Sequence, residues 1–345
     1  METEEKKYTE GVYEAEEQKV LTESVSETGG NEASEDTVAV AEQEEKKTDI
    51  VCAPFLKSKD TTATIMRDVV IALLPAALFG IYRFGFRAFL ILLLSVTSCV
   101  LTEHVCKRIR KVQGKAYECS AIVTGLLMGM MLPVNVPYWF PVAGSVFAIG
   151  IIKQLFGGLG RNRLNPAATA KCLFLVLVGP LVGISVNGYG VAWSESTLSD
   201  LFFGFSVGMA GEVSAFLLLL GGLYLVFGKV ISLHTPVAYL VTFTVIMAVL
   251  GGYGTDFGGL AMQLCIGGVM LGAFFLTTDY TTSPLTAWGK VIYGVIVGGV
   301  TAGLRIWGFT VEAVAYAVVL GNVLVPLIDV ITLPRAMGKG RKAKN

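Results

Sequence analysis

Glycine, arginine and asparagine crowd one short stretch, Gly157-Gly158-Leu159-Gly160-Arg161-Asn162-Arg163-Leu164-Asn165-Pro166-Ala167-Ala168. Glycines let backbone amides approach an anion, the two arginines supply positive charge, and Asn165 before Pro166 makes a good N-cap and first helical residue. As a dinucleotide fingerprint the stretch fails: no strand precedes it, and no acidic residue follows at the distance a βαβ unit needs. It reads equally as a tight turn between helices that carries two positive-inside arginines.

A second candidate is the segment from Thr277 to Thr286, where Thr277, Thr278, Thr281, Thr282, Ser283 and Thr286 surround Asp279 at the end of an apolar run. Unwound backbone is tolerated at membrane depth only where it lines a cavity or is buried in protein. A carboxylate there is a functional candidate, and an interfacial position in contact with water is the simpler account. Glu212, alone in an apolar stretch, fits either a buried hydrogen-bond anchor or an ion ligand. A third segment, Ser194-Glu195-Ser196-Thr197 ahead of Asp200-Leu201-Phe202, is a hydroxyl-rich loop leading into a helix start. The six cysteines, at 52, 99, 106, 119, 172 and 265, show no CxxC or CxH spacing. That argues against a metal site made by this chain alone and against a disulfide framework. No catalytic residue and no metal ligand is assigned.

The elements that must position these residues are membrane helices. Of 345 residues, 53% are hydrophobic and 16% charged, and the mean hydropathy is +0.65. The net charge of zero hides a division: residues 1–50 hold 16 acids against 5 bases, leaving 11 of the 27 acids and 22 of the 27 bases to the remainder. Residues 1–50 are poor in large apolar side chains and read as a disordered acidic tail. Residues 57–335 read as the transmembrane domain and 336–345 as a basic tail. The bases lie between apolar runs, which points to positive-inside loops and away from nucleic acid.

Ten apolar runs are predicted, at 64–82, 86–105, 119–134, 138–156, 166–184, 201–227, 236–251, 259–277, 290–304 and 311–330, with the third, seventh and ninth short for a core of about 30 Å. The start of the chain lacks the pattern of a signal peptide, so it is expected to stay in the cytoplasm. The clusters at Lys107–Lys111, Arg161/Arg163 and Lys339–Lys344 then share the cytoplasmic side with both termini, while Arg83, Arg87 and Arg305 fall outside as a minority. The third and eighth runs resemble each other. Gly125-Leu126-Leu127-Met128-Gly129 matches Gly268-Val269-Met270-Leu271-Gly272, and each is followed by a polar break containing proline. They lie five helices apart, an odd number, so they would run in opposite directions, and an inverted repeat of five plus five helices with broken members is predicted. Chance small-xxx-small spacing in glycine-rich helices is the plainer alternative.

Several short segments in a fixed order carry a family resemblance: Ser58-Lys59-Asp60-Thr61-Thr62, Gly157 to Ala168, Asp200-Leu201-Phe202, Gly208, Gly211-Glu212-Val213-Ser214-Ala215, Gly221-Gly222-Leu223-Tyr224-Leu225, and Thr278-Asp279 with Ser283-Pro284. Over Lys57 to about Arg335 the chain resembles the D subunit of the Rnf-type ion-translocating ferredoxin:NAD⁺ oxidoreductase and the homologous B subunit of the sodium-pumping NADH:quinone reductase. The resemblance implies a multi-pass subunit of the bacterial cytoplasmic membrane. It would work with the other subunits of such a complex and, through them, with ferredoxin and NAD⁺, and electron flow would drive Na⁺ or H⁺ outward. It also implies flavin mononucleotide (FMN) joined by a phosphoester to a threonine in a Ser-Gly-Ala-Thr-like motif, for which Thr197 stands nearest. Here Glu195 replaces the glycine, no proline follows, and the spacing to Asp200 is short, so covalent flavin, non-covalent flavin and no flavin all stay open. Arg161, Asn162, Asn165, Asp279, Thr282 and Ser283 are the further cofactor-binding candidates. A solute channel or transporter of inverted-repeat type, and a structural scaffold that has lost its flavin, are the competing functions.

The charge distribution predicts topology. An impermeant thiol reagent applied to intact cells should leave Cys106 unmodified and should label a cysteine introduced by Asn187→Cys. Labelling in the reverse order would reject this orientation.

Overall fold

The computed structural model describes residues 61–111, 119–158, 160–179, 196–205, 209, 211, 214–308 and 313–333. The chain divides into two units, 1–59 and 60–345, and the described residues belong to the second. The expected acidic and basic tails lie outside them.

All regular structure among the described residues is helical. The helices are α1 (Thr62–Phe84), α2 (Phe86–Ile109), α3 (Ser120–Met130), α4 (Trp139–Phe147, continuing as a π-helix over Ala148–Leu155), α5 (Pro166–Leu177), α6 (Leu198–Phe203), α7 (Ala215–Phe227), α8 (His234–Val249), α9 (Phe257–Cys265), α10 (Val269–Leu271, continuing as a π-helix over Gly272–Leu276), α11 (Ala287–Ile306) and α12 (Ala313–Thr332). Four of them, α1, α2, α11 and α12, are long and apolar enough to cross a bilayer unaided, and α9 with α10, bent by 67° at their break, makes a fifth. The other five apolar helices are shorter, at 10–17 residues.

Ten apolar segments therefore answer the ten expected runs, but half of them fall short of a full span. At 1.5 Å per residue the 12 residues of α5 cover only about 18 Å. The run expected at 201–227 is not one helix. Gly204, at φ +98°, ends α6 in the left-handed region that favours glycine, and α7 begins afresh at Ala215 behind the Ser214 N-cap. The ninth run, expected to be short, is the full 20-residue α11.

The packing repeats between the halves. In the first, α3 lies against α1 and α2, α4 against α2, and α5 against α4; in the second, α10 lies against α7 and α8, α11 against α8, and α12 against α11. Corresponding helices also meet across the molecule, α1 with α7 and α5 with α12. Close approach depends on missing side chains. A Cβ on Gly298 of α11 would stand 2.6 Å from the Tyr239 carbonyl oxygen of α8, and one on Gly125 of α3 2.6 Å from Val96 Cα of α2.

Breaks in helices leave carbonyls without donors, which is expensive in an apolar bundle. The three arginines expected on the outer side of the membrane supply those donors. Arg83 donates to Phe205 O at 3.0 Å, just past α6, and Arg87 donates to Asn135 O and Val136 O at 3.1 and 3.3 Å, just past α3. Arg305, largely buried, serves the bend between α9 and α10. It donates to Gln263 O at 2.6 Å, Gln263 Oε1 at 3.0 Å and Ile266 O at 2.5 Å, with its guanidinium 5.1 Å from the Phe243 ring centre.

Arg305→Met should thus destabilise the protein by about 3 kcal/mol, the order expected when buried carbonyls lose charged donors. The measurement is the unfolding temperature in detergent, with Arg305→Lys recovering part of the loss. A methionine variant as stable as wild type would show that the bend does not depend on this side chain.

Candidate functional site

The glycine-rich stretch and the threonine-rich stretch come together in one polar joint. Asn165 caps α5: its Oδ1 accepts from the amides of Ala167 and Ala168, both at 3.1 Å. That leaves Nδ2 to donate across to Asp279 Oδ2 at 3.3 Å. Three residues earlier, Asn162 donates from Nδ2 to Thr281 Oγ1 at 3.2 Å and to Leu164 O at 3.3 Å. Asp279 also accepts from the Thr282 hydroxyl at 3.2 Å and from the amide and hydroxyl of Thr281 at 3.4 Å, so its carboxylate is held from both sides. Burial pushes the Asp279 carboxyl above the usual carboxylate range, and the Thr281 amide, the Thr282 and Thr281 hydroxyls and the charge on Lys153 oppose that rise.

A buried ion cluster lies beside the joint. Lys153, in the π-helical end of α4, is 2% exposed and donates to Glu103 Oε2 and to Ser120 Oγ, both at 2.8 Å; Lys107 reaches Glu103 Oε1 at 3.0 Å. An ammonium buried this deeply persists because a carboxylate and a hydroxyl replace its water. Lys153, Asn162, Asn165 and Asp279 belong to the polar wall of a cavity of about 60 Å³, and Met66, Leu225 and Phe274 to its apolar wall. The space takes a few waters. Asn162 Oδ1 is buried with no hydrogen-bond partner, an acceptor still in need of a donor.

Of the residues expected to form a site, Asn162, Asn165, Asp279 and Thr282 are therefore brought together. Ser283 joins through its backbone, donating its amide to Asp279 O at 3.1 Å. Arg161 is exposed, its side chain lying over Gly157. Thr197 belongs to a different place: it caps the six-residue α6, with Asp200 returning the bond as in a capping box. Its hydroxyl is exposed, donates to Asp200 Oδ2 at 2.5 Å and lies 2.9 Å from Ser199 Oγ. Ser194, Glu195, Gly208 and Glu212 lie outside the described residues. Glu103, Ser120 and Lys153 were not among the expected site residues. The available signal was a charge in the midst of an apolar run, which at membrane depth marks a candidate by default.

An all-helical multi-pass membrane protein, built from two similarly packed halves with interrupted helices meeting at a polar joint, is the class this geometry defines. Comparison with known proteins narrows it. Residues 50–338 match the model of the NQR2, RnfD, RnfE family, and the chain belongs to that family. It is 39% identical over 304 residues to the D subunit of the Na⁺-translocating ferredoxin:NAD⁺ oxidoreductase complex of Acetobacterium woodii, covering 83% of this chain and 94% of that one. It is 32% identical over 319 residues to the proton-translocating counterpart of Clostridium ljungdahlii (85% and 96% covered). Against the D subunit of the ion-translocating oxidoreductase complex of Stutzerimonas stutzeri it is 33% identical over 329 residues (81% and 93%).

The double role of Asn165 can be separated. Asn165→Asp keeps the capping acceptor and sets a second carboxylate against Asp279, so it should destabilise the joint at neutral pH and recover as the pH falls and one carboxyl takes up a proton. Asn165→Ala loses the cap at every pH, at a cost of about 1 kcal/mol. Unfolding temperatures across pH distinguish the two; equal pH dependence would mean that residues 165 and 279 do not interact.

Proposed function

We propose that this chain is a membrane subunit of an ion-translocating electron-transport complex. In this reading electrons pass between ferredoxin and NAD⁺ through several subunits, this one included, while Na⁺ or H⁺ is exported across the bacterial cytoplasmic membrane. The observation that carries it is family membership over nearly the whole transmembrane unit, together with relatives named as the D subunit of such complexes. Those relatives include a sodium-named and a proton-named member, so membership does not select the ion. In the same reading both termini lie in the cytoplasm, which the positive-inside rule supports.

FMN supplies one- and two-electron transfer where it is bound. Thr197 suits a phosphoester in one respect, an exposed hydroxyl on a short turn. Esterified, its oxygen still accepts the Asp200 amide of the cap but no longer has a hydrogen to give Asp200 Oδ2. The Asp200 carboxylate must therefore turn away from the phosphate. The polar joint is the place for a flavin held without a covalent bond. Asn162 Oδ1 is an acceptor waiting for a ring N–H, and the Asn165 and Asp279 side chains give the mix of donor and acceptor that a flavin's polar edge requires. At about 60 Å³ the cavity must widen to admit a ring, which favours Thr197 as the first assignment.

In this reading Thr197→Val abolishes flavin fluorescence of the protein's denatured band while the chain stays in the membrane, and electron transfer falls with it. Because valine also removes the cap, Thr197→Ser is the control: it keeps both hydroxyl and cap and should retain the flavin. Flavin retained covalently in Thr197→Val would move the attachment to Ser194 or Ser196. A wild-type band with no flavin would return weight to the scaffold and transporter readings.

A further inference from the structure

A second cavity, of about 240 Å³, opens between the π-helical end of α4, the turn that follows it, and α12; it is lined by Ile152, Phe156, Arg163, Leu164, Asn322, Val323 and Pro326. Phe156 and Val323 are strongly exposed, as lipid-facing residues of a membrane helix bundle are. Its polar features are few and unmatched. Arg163 is exposed and makes no ion pair among the described residues. Asn322 is fully buried, and the Tyr293 hydroxyl, 2.7 Å from its Oδ1, fixes the amide so that Nδ2 is left with no partner. Pro326, four residues on within the same helix, has no N–H to give the Asn322 carbonyl. Asn322 thus presents an unpaired donor at the edge of an apolar crevice, where water is scarce and an orphan polar group is costly.

We propose that this crevice binds a glycerophospholipid with an anionic headgroup. Arg163 would take the phosphate, the apolar lining an acyl chain, and Asn322 Nδ2 an ester carbonyl of the glycerol, which lies a few bonds from the phosphate. A hydrocarbon chain alone would leave Nδ2 unpaired. A free phosphate or a soluble anion would leave the apolar walls open. The unpaired guanidinium is what selects an anionic lipid over a zwitterionic one, since a zwitterionic headgroup brings its own cation to the phosphate.

The test uses the assembled complex, stripped of lipid in detergent and titrated with phosphatidylglycerol or phosphatidylcholine of the same acyl chains, with bound lipid counted by native mass spectrometry. Wild type should hold phosphatidylglycerol about tenfold more tightly, and Arg163→Gln, an exposed change, should bring it down to the phosphatidylcholine level. Val323→Trp, on the exposed rim of the crevice, should weaken both lipids, because it fills the space the chain would occupy. Equal binding of the two lipids by wild type would overturn the proposal. So would an unchanged preference in Arg163→Gln, or wild-type binding of both lipids by Val323→Trp.

Discussion

Backbone interrupted inside an apolar bundle has to find hydrogen-bond donors, and much of this molecule is arranged to supply them. Regular helices satisfy themselves, so every place where one stops early calls for a side chain. After α3, after α6 and at the bend between α9 and α10 that side chain is an arginine: Arg83 serves one carbonyl, while Arg87 and Arg305 serve two or more at once. The positions of Arg83, Arg87 and Arg305 follow from that need.

At the joint between residues 157–165 and 277–286 the donors are of another kind. Amides and hydroxyls of Asn162, Asn165, Thr281 and Thr282 hold a carboxylate, and the strong charges, Lys153 and Glu103, are paired with each other at the side. The donors that hold Asp279 are neutral amides and hydroxyls, whereas an arginine there would hold it as an anion. The same economy ties the two halves of the protein together, because Asn165 opens a helix of the first half and Asp279 follows an interrupted helix of the second.

Much of this was legible in the residues. The break signals hold: Asn165-Pro166 is the N-cap and first residue of α5, and the polar run after Leu276 is unwound. The segments Gly157–Ala168 and Thr277–Thr286 were singled out separately; that they touch is a tertiary fact, as no local pattern relates positions 114 apart. The run at 201–227 misled because composition stays apolar across it, while the left-handed Gly204 and the Ser214 cap divide it. Arg305 looked like an outward loop charge because periodicity cannot say that a guanidinium folds back onto a neighbouring helix. Lys153 was hidden by its apolar neighbours, as buried ion pairs reveal themselves only when the partner, Glu103, is brought alongside.

The wide-turned stretch at the end of α4 has a consequence for how the family can vary. A π-turn accommodates one residue more than the α-turn it replaces. Deleting a single residue between Ala148 and Ile152 would let the segment relax to an α-helix with one residue fewer per turn, and Lys153 would stay near its present face, towards Glu103 and Ser120. Length is therefore constrained more tightly in the α-helical part of α4 than in its wide-turned end. A one-residue gap in the α-helical Trp139–Phe147, which has no extra residue to give up, would instead turn Lys153 by about 100° and make a compensated charge an isolated one.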